Sequence, residues 1–75
     1  MITVTYTARS YRPEDVCARY VRVDSTGKYY WCEVGPNRRD IRQGRCHARD
    51  LPADVRDAAA ANRGNYPSYV EWPLA

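Results

Sequence analysis

The chain has 75 residues, which is enough for one small domain spanning residues 1–75 and too few for two. Its composition, 44% hydrophobic and 28% charged, is that of a folded globular protein and argues against intrinsic disorder. No segment approaches the roughly 18 consecutive apolar residues of a membrane span, and the first residues lack a signal-peptide pattern, so we expect a cytoplasmic protein.

The first element in chain order is predicted to be a half-buried β-strand. Its apolar side chains alternate with threonines and Arg9, and this alternation has the two-residue period of a strand. The apolar residues are Ile2, Val4, Tyr6 and Ala8. Pro13 interrupts this pattern, so a connector with one helical turn starting at Pro13 is expected to follow.

Residues 17–34 are predicted to form a β-hairpin, because two runs rich in Val, Tyr and Trp flank the sequence DSTG. Asp24 suits the first position of a type I turn, and Gly27 can adopt a left-handed conformation. This turn places Asp24 opposite Lys28 and fixes the register of the remaining pairs: Val23 with Tyr29, Arg22 with Tyr30, Val21 with Trp31, Tyr20 with Cys32, and Arg19 with Glu33. Two pairs of opposite charge result, Asp24 with Lys28 and Arg19 with Glu33.

The predicted register also separates the two faces of the hairpin. The face predicted to join the core carries Val21, Val23, Tyr29 and Trp31. The other face carries Tyr20, Arg22 and Tyr30 beside Cys32, and a surface cluster of aromatic rings with an arginine is a candidate binding surface.

The segment 35–50 carries a net charge of +3, equal to that of the whole chain. Two aspartates offset five arginines in it, namely Arg38, Arg39, Arg42, Arg45 and Arg49. Such a concentration focuses positive potential on one patch and attracts an anionic partner. In a helix, all but Arg39 would form one stripe, but Gly44 and the lack of a cap disfavour a helix. An extended strand around residues 45–48 is favoured.

Residues 50–64 are predicted to form a helix, with Pro52 in its first turn and Gly64 at its C-terminal end. Its apolar stripe consists of Leu51, Val55, Ala58 and Ala59. The last eleven residues are expected to be extended, with a short edge strand at most, because Pro67 and Pro73 exclude a central one. The sequence therefore predicts an α+β fold, a small antiparallel meander of three to four strands packed against one C-terminal helix.

Neither a metal site nor an active site is expected. Cys17, Cys32, Cys46 and His47 are zinc-ligand types, but the cysteines are 15 and 14 positions apart, and no C-x2-C pair exists. Adjacent residues such as Cys46 and His47 would point to opposite sides of a strand. A Cys–His nucleophile and a glycine-rich phosphate loop are equally unsupported. We expect no cofactor, no enzymatic activity and reduced thiols.

The preferred hypothesis is a non-enzymatic protein that binds nucleic acid or a nucleoprotein surface. Its site would comprise the five arginines of segment 35–50, which would neutralise phosphates, together with Tyr20, Arg22 and Tyr30. If four or five phosphates are engaged, log affinity should fall with log salt at a slope of about −4.

Three other interpretations stay open. The first is a protein-binding inhibitor or adaptor that docks on an acidic surface of host machinery, of the kind used by phages and mobile elements and including anti-CRISPR proteins; it is an analogy based on size. The second is a homodimer that forms through an exposed edge strand. In the third, the basic run is merely solvated, since eleven arginines against one lysine also fit a biased composition.

Overall fold

The structure, a computed structural model, describes residues 2–65 and 69–74. These residues form five strands and one α-helix in the chain order β1 (Thr3–Thr7), β2 (Ala18–Val23), β3 (Tyr29–Val34), β4 (Asp40–Cys46), α1 (Ala53–Ala61) and β5 (Val70–Glu71). All strand pairs are antiparallel, and the spatial order is β1-β4-β3-β2-β5. The predicted α+β fold is confirmed. The meander is β2-β3-β4, and the sheet has one strand more than the predicted maximum of four.

The β2–β3 hairpin has the predicted register at every position from Arg19–Glu33 to Val23–Tyr29. The Asp24 amide donates to the Lys28 carbonyl at 3.0 Å, and Gly27 has the left-handed φ of 90°. One carboxylate oxygen of Asp24 accepts hydrogen bonds from the Thr26 hydroxyl at 2.6 Å and from the backbone amides of Lys28 and Thr26. These bonds, the Thr26 hydroxyl bond first, hold the pKa of Asp24 well below its usual value.

The main core lies between α1 and one face of the sheet. The predicted core face of the hairpin is confirmed for Val21, Val23 and Trp31, which are buried, whereas Tyr29 is partly buried and packs against the core. From the helical region and the C-terminal segment come Leu51, Val55, Ala59 and Trp72.

The helix is shorter than predicted. Ala48–Asp50 forms a separate 3-10 turn, and α1 begins only at Ala53. Pro52 occupies the N-cap position. Gly64 follows the helix with φ of 76°, and its amide donates to the Val23 carbonyl.

The prediction that β1 is half-buried is wrong. All five of its residues are exposed, as is Ile2, and of the predicted buried side only Ala8 is buried. The reason is its position at the outer edge of the sheet, where α1 does not reach. A bulge at Thr5 further disturbs its pairing with β4.

The basic segment forms a turn and a strand, so its helical alternative is wrong. The favoured strand exists but is longer and earlier than expected, since β4 covers Asp40–Cys46. The Pro36–Arg38 turn precedes it, with Asn37 and Arg38 both at positive φ, 63° and 57°. The β1 backbone passes close to Gly44 on β4, and a Cβ atom there would collide with the Thr3 carbonyl.

The C-terminal segment provides the short edge strand β5, as predicted, while Pro67 lies outside the described residues. Arg19 and Glu33 are cross-strand partners, but the ion pair expected from their register is not formed. The Arg19 guanidinium instead stacks on Trp72, 3.7 Å from the ring centroid, and donates to the carbonyls of Trp72 and Pro73. Arg19 therefore holds the C-terminal segment on the sheet.

Within residues 2–65 and 69–74, no helix has both the length and the apolar character that crossing a membrane requires.

Candidate functional site

The face of the sheet opposite α1 carries an open concavity of about 660 Å³. We call this surface the open face. Residues from six parts of the fold line the concavity: Thr5 on β1, Tyr20 and Arg22 on β2, Tyr30, Trp31, Cys32 and Val34 on β3, Arg38 in the turn, Asp40, Gln43, Gly44 and Arg45 on β4, and Tyr69 before β5.

Tyr30 lies at the centre of the open face between two arginines. The strand register pairs it with Arg22 on β2 and with Arg45 on β4. The guanidinium carbon of Arg22 is 4.5 Å from the Tyr30 ring centroid, and that of Arg45 is 5.8 Å from it. The Tyr30 hydroxyl donates to the second carboxylate oxygen of Asp24 at 3.1 Å, which fixes the ring. Two like charges are thus held against one anchored ring by cation–π attraction.

Arg38 and Tyr69 lie at the borders of this surface. Arg38 projects from the Pro36–Arg38 turn, and its positive φ is unusual for a residue with a long side chain. Tyr69 is 43% exposed. The concavity therefore includes a third cation and a further aromatic ring besides Arg22, Tyr30 and Arg45.

Five of the eight residues proposed from the sequence line the concavity: Tyr20, Arg22, Tyr30, Arg38 and Arg45. Arg39 and Arg49 are exposed but lie outside its lining. Arg42 is on the opposite side of the sheet, because residues three apart in a strand face opposite ways and Arg45 faces the concavity.

Arg42 is engaged in a partly buried ion pair. Its Nε donates to Glu33 Oε1 at 2.6 Å, and this bond raises the pKa of the guanidinium. The guanidinium carbon is also 5.0 Å from the ring centroid of Tyr11 and 5.4 Å from that of Trp31. Arg42 therefore covers part of the core that α1 leaves open, and its contacts are structural.

The remaining arginines of the basic segment carry unneutralised charge. Among residues 2–65 and 69–74, no carboxylate lies within ion-pair distance of Arg38, Arg39, Arg45 or Arg49. Two of these four, Arg38 and Arg45, line the concavity together with Arg22 and one carboxylate, Asp40, so the lining has a net positive charge that suits an anionic partner.

Two of the three thiols, Cys32 and Cys46, are poorly suited to nucleophilic chemistry. Burial raises the pKa of the Cys46 thiol to about 11 and also raises that of Cys32. Cys17 is exposed. Across residues 2–65 and 69–74, no three His, Cys, Asp or Glu side chains are grouped closely enough to hold a metal ion. The His47 backbone amide donates to Asp50, which caps the short Ala48–Asp50 turn.

Sequence reasoning did not assign the other residues of the concavity to the site, among them Thr5, Asp40, Gln43 and Tyr69. Gln43 had a usable signal, since strand alternation places it on the same face as Arg45 once β4 is extended to Asp40. The position of Thr5 in the concavity depends on the pairing of β1 with β4, and no local sequence pattern indicates that pairing.

Comparison of the chain with protein families, with curated protein sequences and with solved structures gave no significant match.

Proposed function

We propose that this protein is a non-enzymatic binding module that holds nucleic acid on its open face. The observation that carries the proposal is the row formed by Arg22, Tyr30 and Arg45, in which an anchored tyrosine orients two guanidinium groups on a solvent-accessible surface. Arg38 adds a third guanidinium to the same concavity.

Arginine suits this role because its planar fork of donors matches the oxygens of a phosphate. Holding a guanidinium against a ring reduces the conformational entropy that it loses on binding. The Tyr30 ring is in turn fixed by Asp24, so the row is arranged before any partner arrives. The site is smaller than the sequence alone suggested, because only Arg22, Arg38 and Arg45 share the concavity.

The salt dependence of binding tests whether these three arginines each neutralise a phosphate. Neutralising three phosphates should give a slope of log affinity against log salt of about −2 for a single strand and about −3 for a duplex. Fluorescence anisotropy of a labelled oligonucleotide, titrated between about 50 and 200 mM salt, measures it. An affinity that does not change with salt would refute the phosphate mechanism.

Two matched variants test whether nucleic acid binds at the open face. Arg45→Gln and Arg49→Gln remove the same charge from the same basic segment, but only Arg45 lines the concavity. Arg45→Gln should weaken binding on the order of tenfold, as expected for loss of a charge-assisted contact, whereas Arg49→Gln should leave it nearly unchanged. Equal losses would mean that binding follows net charge and not the open face. Failure of all oligonucleotides to bind would favour the alternative, an inhibitor or adaptor that docks on an acidic protein surface.

A further inference from the structure

We infer that the open face takes single-stranded nucleic acid, with unpaired bases stacked on its aromatic rings, in preference to a duplex. This inference rests on the proposed function and specifies the form of nucleic acid that the site accepts.

The shape of the site is the first reason. A duplex is read by an element that protrudes into a groove, such as a helix or a two-stranded ribbon. Here Arg22 and Arg45 lie on the strands that form the floor of a concavity, Arg38 lies in the turn before β4, and α1 lies on the other side of the sheet. A volume of about 660 Å³ is that of a site for a small molecule. Single nucleotides can enter such a space, whereas a duplex backbone can contact only its rim.

The distribution of aromatic rings is the second reason. Tyr20 and Tyr69 line the same concavity as the arginine row, and Tyr69 is 43% exposed. Tyrosine rings and guanidinium planes are the surfaces on which proteins stack unpaired bases, whereas bases within a duplex are already stacked on each other.

The neutral part of the floor is the third reason. Cys32 on β3 and Gln43 on β4 form the next cross-strand pair on the same face as Tyr30 and Arg45, Thr5 lies on the neighbouring strand β1, and none of these three side chains carries charge at neutral pH. The Thr5 hydroxyl donates to the Gln43 carbonyl at 3.3 Å, while the Gln43 side chain is exposed. A surface that combines hydrogen-bonding groups with cations fits a base and its phosphate together better than it fits a row of phosphates alone.

Three probes of equal length separate the contribution of unpaired bases from that of the phosphates. They are a mixed-sequence single strand, the same strand annealed to its complement, and an abasic strand with the same phosphates. Ribose and deoxyribose versions of the first probe cover both nucleic acids. Anisotropy titrations at one salt concentration should show that the single strand binds at least about tenfold more tightly than the duplex and the abasic strand, since each stacked base contributes on the order of a tenfold gain.

Tyr69→Ala and Tyr6→Ala form a matched pair, because the two tyrosines are similarly exposed, at 43% and 47%, and only Tyr69 lines the concavity. Tyr69→Ala should weaken single-strand binding by about five- to thirtyfold and leave abasic binding unchanged, while Tyr6→Ala should change neither. Circular dichroism of both variants checks that they fold.

The outcomes separate this inference from the proposed function. Equal or tighter binding of the duplex, or equal binding of the abasic strand, would overturn the single-strand inference while leaving the proposed function intact. If Tyr69→Ala weakened binding of the abasic strand as much as binding of the single strand, bases would not be stacking on the Tyr69 ring. If none of the three probes binds, the proposed function itself is wrong.

Discussion

Removing the charge of Arg42 should destabilise the fold strongly, although this arginine belongs to the segment that looks most like a solvated binding surface. Its partner Glu33 is only 8% exposed, whereas Arg42 itself is 32% exposed. Leaving one partner of a buried ion pair unpaired costs about 3–5 kcal/mol, and the partial exposure of Arg42 places this pair near the lower end. A chain of this length has a total unfolding free energy of about 4–11 kcal/mol, so a loss of about 3 kcal/mol is a large share.

Arg42→Met isolates the charge, because methionine retains apolar contact with Tyr11 and Trp31. Urea unfolding should show a loss of about 3 kcal/mol, and thermal unfolding a midpoint lowered by about 12–24 °C. The control is the double variant Glu33→Met with Arg42→Met. Replacing both partners by apolar groups is often neutral, so it should recover most of the stability. A loss below about 1 kcal/mol in the single variant, or no recovery in the double variant, would refute this account of Arg42.

Four further predictions follow from other parts of the fold. Arg38→Gly should raise the unfolding free energy by about 0.5–1 kcal/mol while weakening nucleic-acid binding, because relief of the left-handed strain exceeds the added chain entropy; a variant that is less stable would contradict this. Gly44→Ala should detach β1, since its Cβ would meet the Thr3 carbonyl, and amide exchange should then accelerate in β1 but not in α1; unchanged protection of β1 would refute it. Because the pKa of Asp24 is lowered in the folded state, its ionised carboxylate stabilises the fold fully above the unfolded-state pKa of about 3.9, and this stabilisation is lost as pH falls below that value. Asp24→Asn should therefore reduce the fall of the melting temperature at acid pH, and an unchanged fall would show that Asp24 does not contribute to it. If the free edge of β1 forms a homodimer, the sedimentation coefficient should rise with protein concentration and a lysine in place of Val4 should abolish the rise, whereas a constant value would exclude dimerisation.

The hairpin was predictable to the residue because its information is local. Asp24 and Gly27 fix the turn, the turn fixes the register, and the period of two fixes the faces. The buried stripe of the helix was equally local for Val55 and Ala59, whose positions follow from helical spacing, whereas Leu51 is buried although it precedes α1.

The site was predictable only in part because its residues come together through non-local pairing. The sequence could group Tyr20, Arg22 and Tyr30, which share the hairpin. It could not show that β4 would place Arg45 beside Tyr30 and Arg42 beside Glu33, because that choice depends on where β4 begins and on a bulge near Ile41. The exposure of β1 was missed for a similar reason. Alternation reveals the two faces of a strand but not whether the strand lies at the edge of a sheet.

Some departures from local preference lie at the open face, although Asn37 also has a positive φ, and Arg39 and Arg49 outside the concavity likewise have no carboxylate within ion-pair distance among residues 2–65 and 69–74. Arg38 adopts a backbone conformation that a long side chain disfavours, and Arg22 and Arg45 bring like charges against one ring. Arg38 and Arg45 also lack carboxylate partners among residues 2–65 and 69–74, although the fold pairs Arg42 with Glu33 and Arg12 with Asp15 elsewhere. The left-handed backbone of Arg38 and the nearness of two like charges each lower stability slightly, and the cation–π contacts with Tyr30 offset part of the second cost. Strain and unpaired charge are expected where a surface is kept ready for a ligand, which supports the open face as the binding surface.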